Sequence, residues 1–200
     1  MSPRRYDRRL RLAAADEARR RIVEAAAELH SKHGGHATSH AMIARKAGVS
    51  IPTVYKYFPS GNDLIPACTG LIAGRAPLQL DDRLFDAAPR VPERIRLLAR
   101  SLFRLHEYFA PWLRFGAADA AAFPALRSFF EQGHQGQLKL IRRALSPGGR
   151  GAPAESLVLL VQVLLDYPTW KTLTAAGKTT DQAAAVVADA IVHLVRSKRH

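Results

Sequence analysis

Cysteine is nearly absent from the chain: Cys68 is the only one in 200 residues. No internal disulfide can therefore form, and a reducing cytoplasm is the expected location. Long apolar runs are also missing. The longest, over 157–165, is interrupted by Gln162 and falls well short of the roughly 20 residues that a membrane-spanning helix needs. No apolar segment follows the first arginines, so we expect no secretory signal.

Acidic residues are scarce relative to basic ones. The chain has 17 Asp and Glu against 30 Lys and Arg, which gives a formal net charge of +13. An excess of this size predicts a polyanionic partner, either nucleic acid or an anionic surface. The hydrophobic fraction of 48% is ordinary for a globular chain, and it excludes a disordered or fibrous protein.

No segment has the alternating pattern of a strand, so we expect an all-α fold. The first residues, 1–15, carry five arginines and no apolar period, and we interpret them as a flexible basic arm. Helical spacing follows over 16–33, 40–47 and 50–58, and a capping box at Ser60 opens a fourth helix. We expect one domain over 16–74 and a second over 75–200, with the boundary between Gly74 and Pro92.

The spacing from Ala44 to Phe58 predicts two short helices that cross closely. Ala44 is small enough for the crossing, and Gly48 can adopt the left-handed conformation that a three-residue turn requires. Ser50 can cap the second helix, and Val54 and Phe58 then face inward. This pattern is a helix-turn-helix, whose second helix presents its N-terminal half to the major groove of DNA.

The run ATSHAMIARKAGVSIPTVYKYFPSGNDL, over 37–64, resembles the DNA-binding motif of the TetR (tetracycline-repressor-like) family. The preceding IVEAAAELHSKHG is similar to the first helix of that family. Residues 75–200 match only in architecture, as an all-helical regulatory and dimerisation domain. The resemblance implies a homodimer that binds a double-stranded DNA operator and responds to a small-molecule effector.

The resemblance also assigns roles to single residues. The resemblance places four residues near phosphates: Thr38, Ser39, Tyr57 and Ser60. It places five residues at or near base edges: Ile51, Pro52, Thr53, Tyr55 and Lys56. Arg45 can reach either a phosphate or a base, and Ser50 caps the second helix of the motif, the recognition helix. Hydroxyls and cations suit phosphates, and Pro and Thr methylene or methyl groups suit thymine methyls. The alternative is that Tyr55 and Tyr57 only pack.

Two positions depart from the family pattern. Members usually carry an aromatic residue where His30 ends the first helix. A lysine that reaches a phosphate commonly follows the serine at the start of the fourth helix, whereas Gly61 follows Ser60 here. The helix N-terminus or an arginine of the arm could replace that phosphate contact.

The C-terminal domain contains aromatic residues at helical spacing, with a few polar groups between them. Such a set is typical of a small-molecule pocket, and equally of a helical core. His106 is the best polar candidate because it lies on an apolar stripe, although a core histidine bonded to a backbone carbonyl is the alternative. The predicted ligand-binding residues are Phe103, His106, Phe109, Phe130, His134, Gln162, Asp166 and Trp170.

The segment 154–176 is apolar almost all round, and we expect one helix with a kink at Pro168. It and the last helix, over 183–196, are similar to the pair on which TetR-family proteins dimerise. The predicted interface residues are Leu157, Leu160, Val161, Leu164, Ala184, Ala188, Ile191 and Val195.

The sequence thus predicts a transcriptional repressor that a mostly apolar effector releases from a palindromic operator. The alternatives are an activator, a regulator without an effector, and an enzyme that uses the helical domain for chemistry. We expect no catalytic residue, no cofactor and no metal. The histidines at 30, 33, 36 and 40 cross a helix end and two glycines, so their side chains should not converge on an ion.

Overall fold

The computed structural model describes residues 3–149 and 151–197. Within these ranges it has ten α-helices, two short 3₁₀ helices and no strand, which confirms the predicted all-α fold. None of the helices in this part of the chain has the length and hydropathy needed to cross a bilayer. The helices are α1 (Pro3–His33), α2 (His40–Ala47), α3 (Ile51–Tyr57), α4 (Gly61–Gly74), α5 (Val91–Leu113), α6 (Gly116–Ala122), α7 (Pro124–Leu145), α8 (Glu155–Leu164), α9 (Tyr167–Ala175) and α10 (Thr180–Ser197).

The chain forms two compact units. Unit 1 is the chain up to Arg75 together with Pro111–Phe129, and unit 2 is Ala76–Ala110 together with the chain from Phe130 onward. The sequence predicts a single break between Gly74 and Pro92, and the structure differs by adding Pro111–Phe129 to the first unit. The indole Nε1 of Trp112, for example, donates to the carbonyl of Ala27 in α1 at 2.9 Å.

Unit 1 is built around the packing of α1 on α2 and α4, and of α2 on α3. Its core includes the buried residues Ile22, Ala26, Ile43, Val54 and Leu64. Each lies on one apolar stripe of its helix, so the three- and four-residue spacing of the sequence determines which face of the helix is buried.

Helix α1 is longer than the sequence pattern predicts. It begins at Pro3, so residues 3–15 are helical and continuous with the rest of α1. These residues are thus helical where the sequence pattern shows no helical period, and residues 1–2 lie outside the described ranges. Between residues 4 and 33 there is no proline or glycine, and arginine, leucine and alanine are strong helix formers. Helix propensity therefore favours the extension of α1 beyond its buried stripe.

Unit 2 has a core contributed by α5, the second half of α7, α8 and α10. Ile95, Phe103, Ile141, Val158 and Ile191 are all fully buried there.

The single kinked helix expected over 154–176 is wrong, because the structure has α8 and α9 with a break between them. Asp166 caps α9, where its carboxylate accepts a hydrogen bond from the N–H of Tyr167 at 2.8 Å. Pro168 lies in the first turn of α9, where no helical N–H is needed.

Candidate nucleic-acid interface

Helix α2, its turn and helix α3 have the caps that the sequence predicts. The Ser39 side chain accepts from the N–H of Met42 at 3.2 Å, and the Ser50 side chain accepts from the N–H of Thr53 at 3.3 Å. Gly48 follows α2 with φ of 63°, a left-handed conformation that a side chain would strain. The three features together fix the crossing of α2 and α3.

Helix α3 has one buried and one exposed face. Val54 is completely buried, and Phe58, just after the helix, is 2% exposed. On the opposite face Tyr55 is 51% exposed and Ile51 is 44% exposed, so two large side chains on one face of α3 are in contact with water. Burial of these two side chains against another molecule would remove apolar area from water, so this face is suited to binding.

Of the remaining residues assigned to base edges, Pro52 and Lys56 are exposed and Thr53 is half-buried. The ammonium of Lys56 lies 5.7 Å from the centre of the Tyr57 ring, close enough for a cation–π contact. Arg45 is exposed on α2. The structure thus places Arg45 and Lys56 at the surface of the helix-turn-helix, where each could reach a polyanion.

Two of the hydroxyl groups assigned to phosphates, those of Thr38 and Ser60, already donate hydrogen bonds within the protein. Thr38 Oγ1 donates to the carbonyl of Gly34 at 2.7 Å, and Ser60 Oγ donates to the Asp63 carboxylate at 2.6 Å. A hydroxyl rotates freely, so contact with a phosphate would exchange one acceptor for another. Their role toward phosphate stays a prediction.

A buried carboxylate holds the loop that leads into α2. Asp119, in α6, accepts hydrogen bonds from the N–H of Gly35 at 2.8 Å, from the N–H of His36 at 2.9 Å, and from His36 Nδ1 at 2.6 Å. Burial alone would raise the pKa of Asp119, but these hydrogen bonds outweigh it and lower the pKa. Sequence reasoning missed this contact, because nothing in GAADAAA shows which distant loop the aspartate meets.

The two departures from the family pattern have structural causes. A Cβ placed on Gly61 would come 2.4 Å from Cε1 of Phe123, so a lysine at this position would require the ring to move. His30 is 8% exposed, and burial lowers its pKa to about 4, against the opposing effect of the Asp119 charge. A neutral imidazole therefore fills the place of the usual aromatic ring.

In unit 2 three of the predicted ligand-binding residues come together. The His106 ring lies 5.9 Å from the Phe103 ring and 5.9 Å from the Tyr167 ring, which in turn lies 5.5 Å from the ring of Trp170. Tyr167, another aromatic residue that the sequence places in the expected pocket, also belongs to this group. His106 Nε2 donates to the carbonyl of Leu165 at 2.9 Å. Burial lowers its pKa, while the carbonyl and Asp166 oppose the shift.

The other five predicted ligand-binding residues have varied surroundings, and Asp166 is close enough to His106 to affect its pKa. His134 is exposed, Phe109 makes an edge contact with Tyr108, and Asp166 caps α9. Phe130 and Gln162 are half-buried.

Two clefts lie elsewhere. One, of about 450 Å³, lies between α1 and α4 in unit 1, and the other, of about 260 Å³, is lined by Arg104, Glu107, Thr179, Thr180 and Asp181 in unit 2. None of the predicted ligand-binding residues lines either cleft.

The predicted dimer face needs correction. Five of its residues are buried in the core of unit 2, and a second subunit could not reach them without repacking that core; they are Leu157, Val161, Ala184, Ala188 and Ile191. Leu160 is 40% exposed, while Leu164 and Val195 are half-buried. The exposed apolar residues are instead Leu159, Leu160 and Val163 on α8 and Val186 on α10. Because α8 is apolar on both sides, its periodicity did not indicate which side faces the core.

The four histidines at 30, 33, 36 and 40 have different surroundings, and His33 is exposed. His30 is buried, His36 bonds to Asp119, and His40 stacks on Tyr55. Within residues 3–149 and 151–197 no three histidine, cysteine, aspartate or glutamate side chains are grouped in a way that could hold a metal ion.

Comparison with known proteins agrees with the helix-turn-helix. Residues 22–68 match the model of the family described as bacterial regulatory proteins, tetR family. The chain is 27% identical over 168 residues to the HTH-type transcriptional repressor KstR of Mycolicibacterium smegmatis, an alignment that covers 76% of this chain and 74% of that protein.

Two solved structures share the fold. One is described as a putative fatty acid metabolism regulator of Clostridium perfringens, with a TM-score of 0.53, 15% identity and coverage of 86% of this chain and 96% of that one. The other is a TetR transcriptional regulator from Rhodococcus sp. RHA1, with a TM-score of 0.50, 20% identity and coverage of 90% and 98%. Residues 22–68 therefore carry the sequence pattern of the tetR family, and the chain shares its fold with a TetR transcriptional regulator.

Proposed function

We propose that this chain is a homodimeric repressor that binds a palindromic operator through α3 and leaves it when a small, mostly apolar effector binds unit 2. The observation that carries the proposal is the exposed face of α3, where Ile51 and Tyr55 stand out from a helix whose other side is anchored by Val54. The 27% identity to a transcriptional repressor over three quarters of the chain supports the same conclusion.

On DNA, α3 lies in the major groove. Pro52 and the methyl group of Thr53 pack on thymine methyls, and the phenol of Tyr55 reaches a base edge. Lys56 and Arg45 contribute positive charge, which adds affinity for any DNA sequence and makes binding depend on salt. The two recognition helices of the dimer lie about one DNA turn apart, or roughly 34–36 Å.

Dimerisation uses the exposed apolar surface of α8 and α10, which we call the α8/α10 face: Leu159, Leu160, Val163 and Val186. Helix α10 packs against α8, so the two helices can present one continuous surface. A two-fold axis would bring this patch against its own copy and bury it in duplicate. In a lone subunit the same side chains would stay in contact with water.

The effector site lies within unit 2, and Gln137 supports it. Its Nε2 atom is buried, and among the described residues it has no hydrogen-bond partner. Gln137 precedes Ile141 by four residues, which places it on the core-facing stripe of α7. A buried donor without an acceptor costs about 1–3 kcal/mol. A ligand with an apolar body and a carbonyl or similar acceptor would remove this cost by accepting a hydrogen bond from Nε2 of Gln137. Such a ligand would also shift the protein toward the conformation to which it binds more tightly.

A regulator without a small-molecule effector is a second candidate, and one observation favours it. The polar atoms around the aromatic rings are already paired: His106 with Leu165, Trp170 Nε1 with Thr180 Oγ1 at 3.2 Å, and Thr180 Oγ1 with Glu107 at 2.8 Å. A core satisfied in this way needs no ligand.

The proposal is tested by selecting bound sequences from random double-stranded DNA with the full chain. A palindromic consensus with half-sites one helical turn apart supports the dimeric repressor, and recovery of unrelated sequences would contradict it. A thermal-shift screen of apolar carbonyl compounds then tests the effector with wild-type protein and Gln137→Leu. A compound that stabilises the wild type more than Gln137→Leu and releases the DNA supports the site. Full repression with no response to any compound favours the second candidate.

A further inference from the structure

His40 of the helix-turn-helix contacts both the side chain of Tyr55 and the C-terminal end of helix α3. The ring of His40, the first residue of α2, stacks on the ring of Tyr55 in α3, with centroids 4.5 Å apart and planes 11° from parallel. The same imidazole is hydrogen-bonded through Nε2 to the carbonyl oxygen of Phe58 at 2.8 Å.

The hydrogen bond determines how the His40 ring is oriented. A carbonyl oxygen only accepts, so Nε2 must carry the proton. Phe58 follows the last turn of α3, where helix carbonyls lack partners of their own. The bond therefore satisfies an otherwise open acceptor, and it holds the ring plane in the orientation that the stack on Tyr55 uses.

The stack in turn restricts Tyr55. A tyrosine that is 51% exposed would otherwise sample several rotamers, and it would lose that freedom on contact with a base. A partner ring at 4.5 Å removes part of the freedom before DNA arrives. From this geometry we infer that His40 is a positioning residue, which pre-orients Tyr55 for reading the operator and so contributes to sequence specificity without touching a base itself.

This inference rests on the proposed function, and its test uses the operator selected from random DNA. Full-length wild type, His40→Ala, His40→Phe and Tyr55→Ala are compared on that operator, on operators changed one base pair at a time, and on unrelated DNA. His33→Ala serves as the control, because it removes an exposed imidazole from the end of α1. Circular dichroism and thermal melting establish that each variant is folded.

We expect His40→Ala to bind the operator about tenfold more weakly and to bind unrelated DNA as the wild type does, since charge contacts are unchanged. Discrimination should weaken mainly at the base pair where Tyr55→Ala also loses it. His40→Phe keeps a ring for the stack but loses the hydrogen bond to Phe58, so it should recover only part of the affinity. In the Tyr55→Ala background, His40→Ala should cost nothing further, since the side chain it positions is gone.

Three results would overturn the inference: operator affinity and specificity unchanged in His40→Ala, an equal loss on operator and unrelated DNA, or a full additive loss in the Tyr55→Ala background. A melting temperature lowered in His40→Ala and His40→Phe alike, with wild-type specificity in both, would assign His40 to stability alone and overturn it as well. These outcomes leave the proposed function intact. A wild-type chain that selects no DNA sequence would instead overturn the proposed function, and the inference with it.

Discussion

The ring of Phe123 occupies the space that a side chain on residue 61 would need. Cε1 of the ring lies 2.4 Å from the position of a Cβ on Gly61, and the ring also approaches the position of a Cβ on Gly35, where the nearest ring atom is at 3.1 Å. Phe123 is the residue that follows α6, and Gly61 is the first residue of α4. The two glycines therefore let one aromatic ring pack against the backbone at both ends of the helix-turn-helix.

Gly61→Ala is expected to destabilise the protein by about 1–3 kcal/mol, because the ring must move to admit the methyl group. Urea unfolding measures the loss. In a Phe123→Ala background the same substitution should cost little, which gives a double-mutant cycle for the pair. Gly61→Lys should be destabilised as well and should not tighten DNA binding, although it restores the residue common in the family.

Gly70 is the matched control for Gly61, since it lies in the same helix with open space around it. Gly70→Ala should raise the free energy of unfolding by about 0.5–1 kcal/mol, because alanine loses less backbone freedom in a helix. Equal effects at the two positions would show that Phe123 does not constrain residue 61.

Asp119→Asn is expected to cost about 1–3 kcal/mol, since the amide presents N–H groups to a site that holds three donors. The lowered pKa of Asp119 means that its contribution to stability is present above the ordinary aspartate pKa. That contribution is lost as the pH falls through the folded pKa, so the variant and the wild type should converge in acid. Chemical unfolding between about pH 2 and pH 7 measures this, with the exposed Asp16→Asn as control. A constant difference across that range would contradict the assignment.

The contrast between Gly48 and Asp119 shows which features the sequence alone could predict. The caps at Ser39 and Ser50 and the left-handed Gly48 depend on neighbours within a few residues, so the local pattern was sufficient to predict them. The partner of Asp119 is 84 residues away at Gly35, and only tertiary packing selects it. For this reason the sequence pattern could not place residues 111–129 with the first unit.

The same reasoning applies to the dimer face. In α8, Val161 and Val163 are equally apolar, yet Val161 is fully buried and Val163 is 64% exposed. A helix that is apolar all round has no polar side to indicate which of its faces meets water, so its orientation depends on the helices that pack against it.

His30 makes the stability of unit 1 depend on pH. Its folded pKa of about 4 lies below the ordinary value of 6.5, so between these pH values the unfolded chain binds a proton that the buried ring does not. Stability is therefore full above pH 6.5 and falls toward pH 4, by about 3 kcal/mol for a shift of this size. His30→Phe should flatten this slope in thermal melts. The fall should not vanish altogether, because the pKa of His106 in unit 2 is shifted in the same direction. His33→Phe, at an exposed position, should keep the wild-type slope, and parallel curves for all three proteins would refute the role of His30.

Substitutions of Tyr55, which is exposed, and of Thr53, which is half-buried, should weaken specific binding without unfolding the domain. Tyr55→Ala and Thr53→Ala should each cost about 1–3 kcal/mol on the selected operator. Thr53→Val keeps a methyl group but loses the hydroxyl that bonds to Ser50 at 2.7 Å, so it separates thymine packing from the cap. Titration by fluorescence anisotropy at fixed salt measures each effect. Binding at wild-type affinity by both alanine variants would show that another helix reads the DNA.

Val163→Arg tests the α8/α10 face. A folded monomer should tolerate an arginine at this exposed position. In a two-fold dimer the same substitution introduces two charges into an apolar contact. We expect sedimentation velocity to show monomers, and operator affinity to fall far more than the melting temperature measured at low protein concentration. Leu12→Arg is the control, since Leu12 is 57% exposed in α1 and should leave the dimer unchanged. Ala188→Arg should instead unfold unit 2, because it buries an unpaired charge at a position that is 1% exposed. Dimers that persist in Val163→Arg would place the interface on another surface of the chain.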